Sequence, residues 1–172
     1  MMYRPLMTTT GYEIALATSV DNDAILELQD QNLSNRGGTL SVALSREWFE
    51  RALTEMPVIV ACSEERVVGF LVSSSFAAFS QVPVVEAMVR VHSGGNGAYI
   101  YGPICVARSE RGYGLAARLF AALRMQLPGR EGVQFICRDN AASLRAHLRM
   151  GMQEVGEFTH CDVVHAVLAY QS

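Results

Sequence analysis

The sequence predicts an α/β fold, a mixed, mostly antiparallel sheet flanked by helices on both faces. Three observations predict it. Half of the 172 residues are hydrophobic, enough for one globular domain with a sizeable core. β-rich runs and amphipathic helical stretches follow one another in the order β α α β β α β α β α β β. An apolar run, Tyr99 to Val106, leads through a glycine-bearing turn into an amphipathic pattern that continues to Leu127.

Residues 1–10 have no periodicity and read as a flexible arm before a single domain, 11–172. Tyr12 to Thr18 is a short strand. Ser19 or Asp21 caps a helix to about Gln31, with Ala24, Ile25 and Leu28 inward. A loop containing Gly37-Gly38 precedes a second helix, capped at Ser41 or Ser45 and ending near Glu55. Pro57–Ser63 and Arg66–Ser74 form an antiparallel hairpin about Glu64-Glu65. Gln81–Val91 mixes valines, which favour a strand, with Pro83, which favours a helix start; a helix is expected. After the central strand, the helix from Gly112 to Leu127 carries the stripe Leu115, Leu119, Phe120, Leu123 and Leu127, and Pro128-Gly129 ends it. Val133–Cys137 is a buried strand. Asp139 or Asn140 caps the last helix, Gly151 stops it, and Gln153–Phe158 and Asp162–Tyr170 close the sheet.

Composition narrows the function classes. All 14 basic residues are arginines, which excludes lysine Schiff-base chemistry and a P-loop lysine. Residues 108–149 hold eight arginines and three acids, although the whole chain is −3. A local positive region on an acidic protein suits a compact polyanion, not nucleic acid. Cys62, Cys105, Cys137 and Cys161 are scattered and read as free thiols, with no metal site. His160, Cys161, Asp162 and His165 gather no ligand set, since alternation along a strand separates Cys161 from Asp162. With no membrane-length apolar run and no signal pattern, a cytoplasmic location is expected and no membrane partner.

The turn Ser109-Glu110-Arg111-Gly112-Tyr113-Gly114-Leu115-Ala116-Ala117 joins a strand to a helix start. Free first-turn amides, the helix dipole, two permissive glycines and one guanidinium together make an anion site. Gly112-x-Gly114-x-x-Ala117 also satisfies the dinucleotide pattern of a nicotinamide-dependent oxidoreductase. That reading lacks a leading βα position, a tight strand-to-glycine step and the expected acid about 20 residues on.

These residues resemble the coenzyme A signature of the GCN5-related N-acetyltransferase superfamily, GNAT: Arg111-Gly112-x-Gly114-x-Ala116 answers its glycine-rich run. Asn140-Ala141-Ala142-Ser143-Leu144-Arg145-Ala146-His147, followed by Gly151-Met152, answers its second element, with His147 in the place of a tyrosine. The resemblance extends from Tyr12 to Tyr170. It implies the GNAT fold and an N-acetyltransferase that moves an acetyl group from acetyl-CoA to a primary amine of a small molecule or peptide. Attack is direct, through a tetrahedral intermediate. A CoA-binding sensor or interaction module on the same fold is the alternative.

The resemblance also implies the site. The strand ending at Val106 splays from its neighbour, and the pantetheine arm pairs with Ile104, Cys105 and Val106. Amides of Gly112, Gly114, Leu115 and Ala116, in the loop that includes Tyr113, hold the pyrophosphate with Arg111. Asn140 and Ser143 meet the pantetheine or phosphate region. His147, on the same helical face, stands where the departing thiolate is protonated, a step open to an imidazolium. The base stays open among Tyr99, Tyr101, Glu86, His92, His160 and a water chain; Tyr101 also reads as lining the acceptor pocket. The acceptor is expected between the early helices and the Ala77–Gly97 insertion, against Phe76, Phe79, Val85 and Met88. Closing strands imply pairing as a homodimer.

Overall fold

In a computed structural model of the chain, residues 5–9, 11–36, 38, 40 and 42–171 are described. The strands are β1 (Met7–Thr9), β2 (Tyr12–Leu16), β3 (Val58–Ser63), β4 (Arg66–Ser74), β5 (Tyr99–Val106), β6 (Glu131–Cys137), β7 (Gln153–His160) and β8 (Val163–Gln171). The α-helices are α1 (Asn22–Asp30), α2 (Arg46–Glu55), α3 (Pro83–Val91), α4 (Leu115–Gln126) and α5 (Ala141–Arg149). The sheet is mixed and eight-stranded. β1–β2, β2–β3, β3–β4, β6–β8 and β7–β8 pair antiparallel, and β5–β6 pairs parallel.

The chain forms two compact units, and β5 contributes to both. The first holds the residues up to Ser73 with Gly102–Gln126; the second holds Ser74–Tyr101 and the residues from Leu127 onward.

In the first unit, Asp21 accepts from the Thr18 amide at 2.7 Å and starts the chain towards α1. Ser45 caps α2 by accepting from the Trp48 amide at 3.2 Å, as its place before the apolar run predicts. Ser41 lies outside the described residues, as do residues 1–4 and 10. Met7–Thr9, inside the stretch expected to be a flexible arm, pairs with β2 instead. Ile14, Ile25, Phe49, Ile59, Phe70, Leu71, Leu115 and Leu119 are buried. Gly69 lies under α4: a Cβ there would press Leu115, Leu119 and the Cys105 carbonyl at 3.3–3.4 Å. The stripe expected for α4 is therefore its packing face, although the helix begins at Leu115, not Gly112. Positive φ at Gly112 and Gly114 keeps them in the turn.

In the second unit, Pro83 opens α3 as a helix. Val85 and Met88 on α3, with Phe79 before it, are core residues (7%, 0% and 8% exposed), so they do not form the acceptor wall expected of them. The β5–β6 ladder has two pairs, Tyr99 with Gly132 and Ile100 with Val133, whereas β6 pairs with β8 along its whole length. A Cβ on Gly132 would collide with the rings of Tyr170 and Tyr99. β7, outermost in strand order, is bulged at Glu154/Gly156. Arg138 clasps it by donating to Glu154 and, at 2.7 Å, to Glu157.

The β7–β8 turn places Cys161 and Asp162 at φ +47° and +60°, where Asn-Gly is the low-strain pair. Replacing them (C161N/D162G) should raise unfolding stability by about 1 kcal/mol, read as a higher thermal midpoint.

Candidate active site

The first unit carries the glycine turn. β5 ends at Val106, a short 3-10 turn covers Arg108–Glu110, and α4 begins at Leu115. Between them, Gly112 and Gly114 take φ of +86° and +75°, conformations that strain any residue with a Cβ. A Cβ built on either meets nothing within 4 Å, so the two glycines are needed for backbone shape while the space beside them stays open. The leading amides of α4 lack intrahelical acceptors and face the positive end of its dipole.

Arg111 fastens this turn. Its Nε donates to the Val106 carbonyl at 3.2 Å, and its terminal nitrogen donates to Asn32 Oδ1. Asn32 in turn donates to the Leu28 carbonyl at 2.7 Å. With five N–H donors on a guanidinium, Arg111 retains others for an anion. Beside it, Glu110 accepts from the Tyr12 hydroxyl at 2.7 Å and from Ser109 Oγ at 3.0 Å. The Tyr12 bond is the main reason the Glu110 carboxyl lies below its ordinary range. Arg118 stacks over the Tyr12 ring at 5.3 Å. Tyr113 stands out from the turn, 65% exposed.

Along the last part of β5, Ile104 and Val106 are half-buried and Cys105 is buried. Burial pushes the Cys105 thiol up to about 12, and its Sγ points at the Leu28 carbonyl, 3.8 Å away. A thiol held protonated is a poor nucleophile, which argues against an acyl-enzyme at Cys105.

The second unit carries the other candidates. Asn140 caps α5, its Oδ1 accepting from the Ser143 amide at 3.2 Å. His147, one turn beyond Ser143, is 3% exposed. Its Nδ1 lies 2.8 Å from the Ser143 carbonyl, which only accepts, so the proton sits on Nδ1 and Nε2 is bare. That Nε2 is buried and makes no hydrogen bond. Burial lowers the pKa of the ring, so the imidazolium expected from sequence is the disfavoured form. The Tyr101 ring meets His147 edge-on at 5.6 Å. Tyr101 is 2% exposed, and burial holds its phenol well above the ordinary range, hence protonated. Tyr101 also contacts Tyr170, whose hydroxyl bonds that of Tyr99.

Among the other base candidates, His92 is bound to Glu131 at 2.7 Å, and Glu131 also accepts from the Gly95 amide. His92 thus pins the loop after α3. Asn32 was invisible as a partner of Arg111: the two stand 79 positions apart, and no local pattern links them.

A model of the Acetyltransferase (GNAT) family matches residues 22–152. No curated protein sequence matches the chain at a significant level. Solved structures do match. An N-acetyltransferase from Staphylococcus aureus Mu50 superposes with a TM-score of 0.68 at 22% identity, over 93% of this chain and 98% of that one. A ribosomal-protein-alanine N-acetyltransferase from Brucella melitensis gives 0.68 at 20%, over 92% and 99%. The yncA structure from Salmonella typhimurium, with its cofactor acetyl-CoA, gives 0.69 at 18%, over 93% of each chain. At these identities the superpositions speak for the fold, while the family match spans most of the sequence: the chain belongs to the GNAT family of acetyltransferases.

Proposed function

We propose that the protein transfers an acetyl group from acetyl-CoA to a primary amine by direct attack on the thioester. The observation that carries this reading is the open turn at Gly112 and Gly114, at the head of α4 and backed by Arg111, in a GNAT chain. Acetyl-CoA supplies an activated acyl group and a thiolate leaving group. Amides of Gly112, Gly114, Leu115 and Ala116, in the loop bearing Tyr113, with Arg111, bind its pyrophosphate. The backbone of Ile104, Cys105 and Val106 pairs with the pantetheine arm and polarises the thioester carbonyl. Asn140 and Ser143 orient the arm from the start of α5.

His147 and Tyr101 divide the proton work. With Nδ1–H given to the Ser143 carbonyl, His147 can only accept at Nε2; Tyr101, held protonated, can only donate. A neutral acceptor and a neutral donor in edge-on contact make a proton-transfer pair, and their burial weakens each in its task. We therefore assign His147 to the amine's proton and Tyr101 to the departing sulfur, the reverse of the role expected for His147 from sequence. A CoA-binding module without turnover is the second reading, favoured by the complete burial of the His147 ring.

Free-thiol release from acetyl-CoA over a panel of amines, amino acids and alanine-starting peptides decides between them. Release above the acceptor-free rate is expected; acetyl-CoA binding with no release from any acceptor would establish the module. Arg111→Ala should weaken acetyl-CoA binding about tenfold, the value of one or two charge-assisted hydrogen bonds; an unaltered dissociation constant removes Arg111 from the pyrophosphate. His147→Phe should lower kcat by about a hundredfold with little change in acetyl-CoA affinity.

The buried ring also makes a stability prediction. Its folded pKa lies below the unfolded value of about 6.5, so below that pH the unfolded chain binds the extra proton. Stability should then decline as pH falls through the ordinary histidine range. His165, also lowered by burial, contributes in the same sense. His147→Gln should flatten part of the decline in midpoint between pH 7 and 5; an unchanged slope would mean that the ring titrates normally.

A further inference from the structure

In the second unit one buried side chain breaks the pattern of its strand. Gln134 sits midway along β6, 7% exposed, where the other buried side chains, Val133 and Ile136, are hydrocarbon. Its amide nitrogen donates to the Met152 sulfur, 2.9 Å away. Met152 is itself buried, and a thioether is a weak acceptor. A buried amide with so poor a partner costs stability that a leucine would not. Such exceptions to core patterning gather where function requires them. Gln134 stands two residues beyond Gly132, so the two share a face of the sheet. That face holds the Tyr99 and Tyr170 rings, which a Cβ on Gly132 would strike, and Tyr170 touches Tyr101. Met152 is fastened to His147 as well, because α5 ends in a Schellman turn. Gly151, at φ +94°, donates to the Leu148 carbonyl at 3.0 Å, and the Met152 amide donates to the His147 carbonyl at 3.1 Å. His147 is therefore held twice, its ring by the Ser143 carbonyl and its backbone by Met152.

We propose that Gln134 and Met152 are positioning residues for His147. Their amide–sulfur bond fixes the end of α5 to β6 and so sets where His147 Nε2 stands relative to Tyr101. The Ser143 carbonyl lies on the same helix as the ring, so it chooses the tautomer but cannot set the distance from helix to sheet. Tyr101 belongs to β5, and its edge-on contact with His147 at 5.6 Å depends on that distance. A hydrocarbon pair at 134 and 152 would pack but slide, since apolar burial has no preferred direction. A hydrogen bond has a preferred length and angle. The inference rests on the preceding reading only in making His147 the proton acceptor; the placing of the ring is observable by itself.

Gln134→Leu deletes the donor, and Met152→Leu deletes the acceptor. Each is compared with the wild-type protein in thermal midpoint, in thiol release and in the His147 ring-proton NMR resonances, assigned by their loss in His147→Phe. The facing Tyr101 ring makes those resonances sensitive to the position of His147. In Gln134→Leu the midpoint should be equal or higher, and the resonances should move. Its kcat should fall by about tenfold to a hundredfold, the cost of misplacing a group by up to about 1 Å, with the KM for acetyl-CoA unchanged. Met152→Leu should move the resonances and lower kcat likewise, but also lower the midpoint, because the Gln134 amide is left buried and unpaired. The double variant should lose little more kcat than either single one, as two residues acting through one bond require. Resonances unmoved in both variants overturn the proposal, as do additive losses in kcat. A lowered midpoint in Gln134→Leu makes the amide a structural bond and also overturns it. Moved resonances with an unaltered kcat uphold the positioning and remove His147 from proton transfer. If the wild-type protein releases no thiol from any acceptor, the acetyl-transfer reading fails, and the resonances and midpoints alone decide the positioning.

Discussion

The guanidinium of Arg111 is the constraint on which the glycine turn of the first unit depends. Gly112 and Gly114 give the chain a shape that no other residue holds without strain, but glycines alone leave a turn loose in solution. Arg111 removes that freedom by joining the end of β5, through the Val106 carbonyl, to Asn32 just past α1. Asn32 is itself tied to the last turn of α1 by the Leu28 carbonyl. The amides at the head of α4 are thus held in place by the protein itself, and under the proposed function such pre-set donors would bind more tightly because less ordering remains to be done. The same side chain carries the charge and the scaffold, so its removal acts on both.

In the second unit the corresponding constraint is tautomeric. The Ser143 carbonyl decides which nitrogen of His147 holds the proton, and burial decides that there is only one. Tyr101, pressed edge-on against that ring, is kept in the opposite condition by the same lack of water. Neither effect needs a nearby formal charge. A dry environment alone holds the imidazole unprotonated at one nitrogen and the phenol protonated.

Much of this was legible in the sequence, and the parts that were not share a cause. The order of strands and helices follows from local periodicity, and Pro83 resolved an otherwise ambiguous valine-rich stretch in favour of α3. The glycine turn was legible because its chemistry is contiguous. Burial was harder. Phe79, Val85 and Met88 read equally well as a pocket wall or as core, and only packing against the rest of the second unit makes them core. The protonation state of His147 depends on a carbonyl one turn away and on the absence of solvent, neither of which a residue pattern encodes. Asn32 escaped notice because a partner 79 positions away comes from a segment that shares no motif with the turn. Met7–Thr9 lacks alternation because a three-residue strand is too short to show it.

The bulge in β7 and the grip of Arg138 on Glu154 and Glu157 have a consequence for the molecule in crowded surroundings. An outermost strand with an even run of open backbone groups invites a foreign strand to extend the ladder. Here the register is broken midway and acidic side chains flank the break. An incoming chain cannot align its amides and carbonyls over more than a few residues, which guards the molecule against runaway end-to-end stacking.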